Sequence, residues 1–147
     1  MSHWYDQGEF NNRQNTLVAD IERAINGEYS AIQCYSRLVY LTNNEEVKKR
    51  ILEIREDEIK HYQQFIQIYV GLTGQQLQPV TIEECPDNYA EGLEYALKDE
   101  QETVDVYLDI ADRAADPYIR EVFRRAAADE QNHAVWFLYY FVSAKWQ

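Results

Sequence analysis

Apolar residues recur at helical spacing along almost the whole chain. Leu17, Ile21, Ala24 with Ile25, Ala31 with Ile32, Tyr35 and Leu38 make one stripe with a period of about 3.6 residues. They predict a first helix from about Asn11 to Thr42. Asn43 and Asn44 interrupt the stripe, and Asn43 followed by Glu46 reads as a cap for the next helix. Val47, Ile51, Ile54, Phe65 and Ile68 predict a second helix over about 45–71, ending at Gly71 with Gly74 just beyond. Leu93, Ala96 with Leu97, Val104, Tyr107 and Ile110 predict a third over about 88–114. Asp116–Pro117 is an N-cap followed by a first-turn proline, so a fourth helix should run over about 117–145, burying Val122, Phe123, Ala126, Phe137, Tyr140 and Phe141. Residues 1–10 read as a polar N-terminal arm carrying Trp4 and Tyr5, with the helical domain occupying 11–147; His3 reads as solvated.

The connection over residues 72–88 contains Pro79, Pro86 and a β-prone patch at Val80–Ile82. It is long for two neighbouring antiparallel helices. A crossover of this length lets the second and third helices run parallel. The expected fold is all-α, a four-helix bundle of two helical hairpins joined by a long crossover. Residues 135–142 are apolar nearly all round the fourth helix, which predicts a subunit interface and a homodimer through that helix. The crossover is also long enough for hairpins to be exchanged between subunits.

The two hairpins repeat one another. Glu58-x-x-His61 recurs as Glu130-x-x-His133, an offset of 72 residues, and that offset also carries Glu28 onto Glu100, Tyr35 onto Tyr107, Asp57 onto Asp129 and Phe65 onto Phe137. Core positions follow: Ala24 and Ala96, Ile25 and Leu97, Val47 and Ile119, Ile51 and Phe123. A Glu and a His three residues apart project from one helix face and can reach one ion. Measured from its own hairpin turn, each of the four glutamates lies about 20 Å along its helix at about 1.5 Å per residue. Docked hairpins can therefore bring all four to one height.

Each glutamate sits in an apolar stripe. Burying one unpaired carboxylate costs several kcal/mol, and four together would exceed what a marginally stable domain tolerates. Two divalent cations would balance four glutamates, with two neutral imidazoles completing the set. A single Glu-x-x-His is a weak signal, since most such pairs are solvated. Two copies in register with two further buried glutamates make a metal centre the better reading. Tyr35 and Tyr107 are either core aromatics or hydroxyl donors to the ligand carboxylates. Asp57 and Asp129 are either surface acids or hydrogen-bond partners of the histidines.

Charge and composition narrow the partners. The net charge of -12 argues against nucleic acid or an anionic membrane surface. Residues 1–10 lack a basic start and an apolar run, so they do not read as a secretory signal. The longest apolar stretch, Ala134–Ala144, is too short to span a bilayer. Cys34 and Cys85 form no Cys-x-x-Cys motif and suggest neither a disulfide framework nor a thiolate site, so a soluble protein in a reducing cytoplasm is expected.

The motif Glu28, Glu58-x-x-His61, Glu100, Glu130-x-x-His133 resembles the ferritin-like superfamily, most closely its rubrerythrin-like (erythrin) branch, over roughly residues 15–145. That resemblance implies two iron ions per chain, with manganese or a mixed pair tolerated by the same ligands. It implies Glu28 and Glu100 as terminal ligands, Glu58 and Glu130 as bridges, and His61 and His133 one to each metal. There are departures. No rubredoxin-like domain with paired Cys-x-x-Cys motifs is present, so an external electron donor is implied. Thr103 stands where rubrerythrins carry an extra glutamate. The six-ligand set is like that of bacterioferritin, but Ile59 replaces the haem-binding methionine, and the 14 residues after His133 leave no room for a cage-closing fifth helix. The expected function is a di-iron oxidoreductase reacting with peroxide or dioxygen. The alternatives are a ferroxidase or iron-handling protein, or a metal-stabilised scaffold without turnover.

Overall fold

Four long helices account for most of the chain. The computed structural model describes the backbone of residues 3–146 and the side chains of residues 12–146. The helices are α1 (His3–Leu38), α2 (Glu45–Thr73), α3 (Tyr89–Arg113) and α4 (Pro117–Lys145), with a short 3₁₀ turn, Val39–Leu41, closing α1. α1 begins earlier than the pattern suggested, since the backbone of the supposed N-terminal arm continues the helix from His3. The side chains of His3, Trp4 and Tyr5 lie outside the described residues.

The helix ends follow from local chemistry. Asn44, one residue later than expected, caps α2 by accepting from the Glu46 and Val47 amides at 3.0 and 3.2 Å. α2 runs through Gly71 to Thr73 and stops where Gly74 adopts a left-handed conformation, φ 69°. Asn88 accepts from the Glu91 amide to start α3. Asp116 accepts from the Tyr118 and Ile119 amides ahead of Pro117 to start α4.

α1 packs on α2, α3 on α4, and the hairpins meet through α1 with α3 and α2 with α4. The crossover leaves α2 at the end of the bundle away from the α1–α2 turn and climbs back along α1. Asn26 Oδ1 accepts the Val80 amide at 3.0 Å, Ser30 Oγ the Ile82 amide at 2.9 Å, and Cys34 is joined to Cys85. These three residues of α1 are four apart and form one stripe. α3 therefore starts beside Leu38, where Gly92 lets the helices touch: a Cβ there would lie 2.8 Å from Leu38 Cδ1. Arg37 and Asp87 pair at this end, and Arg113 reaches Asp20 at 2.6 Å at the other. So α3 runs antiparallel to α1 and parallel to α2. The β-prone patch is edge-bonded to side chains and forms no strand.

The Cys34–Cys85 disulfide, with Cα atoms 5.1 Å apart, overturns the expectation of two unpaired thiols. The pairing was hidden because 51 residues separate the cysteines and the crossover's path, not a local motif, brings them together. With it goes the argument from thiols for a reducing compartment. Among the described residues no helix is long and apolar enough to cross a membrane.

The core lies in two apolar layers, one around Ile21, Ile25, Phe65, Ile110 and Phe123, the other around Leu38, Ile51, Leu93 and Phe137. Between them sits a polar level. On the outside of α4, Val135, Leu138, Tyr139 and Val142 stay 61%, 46%, 58% and 44% exposed, a continuous strip at helical spacing.

Replacing Asp116 by alanine removes the α4 cap and should cost about 1 kcal/mol, against about 3–5 kcal/mol for Phe123→Ala, which empties a buried ring site. Urea titration should show both as lowered midpoints, and an Asp116→Ala midpoint equal to the parent's would contradict the capping role.

Candidate metal centre

The polar level between the two apolar layers is built from one side chain of α1 (Glu28), one of α3 (Glu100), and a Glu-x-x-His pair from each of α2 and α4. All six of Glu28, Glu58, His61, Glu100, Glu130 and His133 are 2% exposed or less. They fall into two overlapping groups able to hold an ion: Glu28, Glu58, His61 and Glu130, and Glu58, Glu100, Glu130 and His133. Glu58 and Glu130 belong to both.

Inside this level each of the six offers one polar atom with no hydrogen-bond partner: Glu28 Oε2, Glu58 Oε1, His61 Nδ1, Glu100 Oε2, Glu130 Oε1 and His133 Nδ1. His61 Nδ1 lies 3.6, 3.7 and 3.2 Å from oxygens of Glu28, Glu58 and Glu130. His133 Nδ1 lies 3.1 and 3.5 Å from oxygens of Glu58 and Glu100. Buried polar atoms are nearly always paired. Six that converge without partners are what a pair of cations would satisfy.

The remaining atoms of these residues are held by reciprocal bonds across the bundle. His61 Nε2 donates to Asp129 Oδ2 at 2.8 Å, and His133 Nε2 donates to Asp57 Oδ2 at 2.8 Å. Each aspartate, accepting at Nε2, leaves the Nδ1 lone pair of a neutral ring facing inward. Tyr35 donates to Glu100 Oε1 at 2.6 Å, and Tyr107 donates to Glu28 Oε1. All four make these hydrogen bonds, while Tyr35 and Tyr107 are core aromatics as well and Asp57 stays partly exposed. Both hydroxyls are held by rings: Tyr35 packs on Phe137 at 5.1 Å, and Tyr107 meets Phe65 and Phe123 edge-on at 5.3 and 5.5 Å.

Crowded carboxylates and burial govern the titration of the metal-free centre. Burial and the charges of neighbouring glutamates push the Glu58 and Glu130 carboxyls well above the ordinary carboxylate range. Burial would raise Glu28 too, but the adjacent His61 ring holds it below the ordinary carboxylate range. Burial would lower His61, yet Asp129 and Glu28 push it up to about 10, and Glu100 and Glu58 push His133 up to about 12. Without cations, protons on these groups offset part of the negative charge.

A cleft of about 370 Å³ between α1, α3 and the crossover reaches this level. Glu28, Glu58, Glu130 and Tyr107 form its floor, and Asp99, Glu102 and Thr103 lie along its α3 wall. Gly27 lines the α1 wall, with nothing within 4 Å of where its Cβ would be. Burial and the adjacent Glu100 charge raise Asp99 to about 7. Asp99 was not singled out from the sequence: it neighbours Glu100 in the chain but points about 100° away on the helix, and its counterpart at the repeat offset is Gly27.

A family model described as Rubrerythrin matches residues 20–134 and 91–147. YhjR, an uncharacterised protein of Bacillus subtilis (strain 168), is 54% identical over 124 residues, spanning 84% of this chain and 86% of that protein. Among solved structures, a Desulfovibrio desulfuricans bacterioferritin with a diiron site is similar with a TM-score of 0.80 at 18% identity, covering 91% of this chain and 82% of that one. A ferritin-like, diiron-carboxylate protein from Bacillus anthracis str. Ames gives 0.74 at 24% identity, covering 88% and 97%. These structural likenesses establish the ferritin-like fold.

The titration fixes a sign. His61, His133, Glu58 and Glu130 hold protons more tightly in the folded, metal-free chain than in the unfolded one, so stability falls as pH rises. The histidine contribution is complete below 6.5 and fades as pH approaches about 10 and 12. Glu28 acts oppositely, losing its contribution only as pH falls below 4.5. Metal-free protein should therefore melt at a lower temperature near about pH 9 than near about pH 6, and loading with divalent cations should flatten that slope because cations displace the protons. Circular dichroism melts check it; an unchanged melting temperature in metal-free protein would contradict the charge arrangement.

Proposed function

The chain belongs to the rubrerythrin family, and on that premise we propose that it is a di-iron oxidoreductase that reacts with peroxide or dioxygen and takes electrons from an external donor. The observation that carries the reading is the convergence of six partnerless buried atoms, one from each of Glu28, Glu58, His61, Glu100, Glu130 and His133. Carboxylate and imidazole donors suit iron and tolerate manganese or a mixed pair. Glu28 and His61 would hold one ion, Glu100 and His133 the other, with Glu58 and Glu130 shared. Bound there, the ions would supply redox chemistry toward the oxidant.

The chain's own residues do the rest. Asp57 and Asp129 orient the imidazoles. Tyr35 and Tyr107 steady one oxygen of each terminal carboxylate and leave the other free. The apolar layers around Phe65 and Phe137 keep bulk water out, while the cleft beside Gly27 admits a small oxidant. A second reading, ferrous-ion oxidation and handling, is favoured by the acidic wall of that cleft, where Asp99 and Glu102 would draw cations inward.

Anaerobic loading with ferrous ions followed by stopped-flow mixing separates these readings. Two ions per chain should bind and be oxidised rapidly by peroxide or oxygen, with reductant sustaining turnover. Retention of many ions per chain would favour iron handling, and binding without oxidation would leave a scaffold. His133→Ala should lower metal content and thermal stability together; loss of neither would remove the ligand role.

The exposed strip Val135, Leu138, Tyr139 and Val142 supports a homodimer through α4. Light scattering on purified protein should give twice the chain mass. A clean monomer would dismiss the interface.

A further inference from the structure

The Cys34–Cys85 disulfide is asymmetric. Cys34 is buried at 4% exposure, whereas Cys85 is half-buried, and both line a groove of about 620 Å³ between α1 and the crossover that also presents Arg37 and Arg55. An external thiolate can attack the Cys85 sulfur, forming a mixed disulfide and releasing Cys34 as a thiolate. Opening the bridge does not free the crossover, because the Val80 and Ile82 amides stay bonded to Asn26 and Ser30. On its inner side Cys34 is one peptide bond from Tyr35, whose hydroxyl donates to Glu100 at 2.6 Å. Along α1, Cys34 lies six residues beyond Glu28, about 9 Å at the helical rise. The chain has two cysteines in all, and both are in this pair.

We propose that Cys34 and Cys85 form a reversible dithiol–disulfide site that receives two electrons from an external dithiol and passes them to the oxidant at the metal centre. The inference rests on the oxidoreductase reading above and names the chemical class of its donor. With peroxide the sum is two thiols plus H₂O₂ giving one disulfide plus two H₂O. Two S–H bonds and the O–O bond break, the S–S bond forms, two electrons leave sulfur for oxygen, and both protons end in water. The external dithiol then reduces the bridge by exchange and becomes a disulfide itself.

Wild-type protein reduced with dithiothreitol, loaded anaerobically with ferrous ions and freed of excess reductant is mixed with one equivalent of peroxide. Samples are alkylated in denaturant and weighed by mass spectrometry. Both cysteines should close together, at least about tenfold faster than in metal-free protein, whose thiols must meet peroxide directly. Equal rates with and without metal overturn the proposal, as does a native disulfide that dithiothreitol fails to open. A Cys34→Ser, Cys85→Ser double variant, loaded likewise, should keep the first rapid oxidation of its ferrous ions but lose turnover driven by dithiol. Undiminished turnover in that variant overturns only the role of the pair. Absence of the first oxidation in wild type as well as variant overturns the reading of the centre, and this inference with it. Should the variant fail to fold, the wild-type alkylation comparison decides alone.

Discussion

Glu28, Glu58, Glu100 and Glu130 bring four carboxylates to one level of an apolar interior, where each is surrounded by the others and by almost no water. Domains of this size are stable by only about 5–15 kcal/mol, and an uncompensated buried ion costs several. Much of the chain answers that repulsion. Two imidazoles stand between the carboxylates. Two tyrosine hydroxyls donate to the carboxylates of Glu100 and Glu28, and two aspartates hold the rings by Nε2 so that Nδ1 faces inward. The aromatic layers above and below keep these groups from drifting. Without cations such a site must load protons instead, which would couple metal content, pH and stability.

The supporting bonds run between hairpins. Tyr35 on α1 serves Glu100 on α3, and Tyr107 on α3 serves Glu28 on α1; the same exchange links α2 with α4 through Asp57, His133, Asp129 and His61. Neither hairpin can complete its own half. The site therefore also holds the two hairpins together, and its geometry depends on their docking as much as on either helix pair.

Much of this was legible in the residues. Four helices, the parallel crossover and the six inward side chains followed from apolar period, capping residues and a repeat that places equal counts between each glutamate and its turn. Helix termini slipped where a polar stretch hid continued helix, as at His3–Phe10, or where two asparagines competed for one cap, as at Asn43 and Asn44. The disulfide and Asp99 were not legible. Each depends on how the crossover lies against α1 or on the angle of a single residue beside a ligand, and neither leaves a periodic trace. The stripe Asn26, Ser30 and Cys34 was equally silent, because small polar residues on a helix read as solvated until a loop is laid over them.

At the repeat offset, that stripe becomes Lys98, Glu102 and Val106, all exposed on α3. The duplicated hairpins thus kept a common interior and diverged on their outer faces. The cleft follows the divergence: it touches Glu28, Glu58 and Glu130 but neither Glu100 nor His133. Two positions that are chemical twins are therefore unequal in reach. Arrivals and departures would pass through the Glu28 side, making that position the antechamber and the Glu100 side the inner room, so that occupancy of the two would be sequential even though their donor atoms are the same.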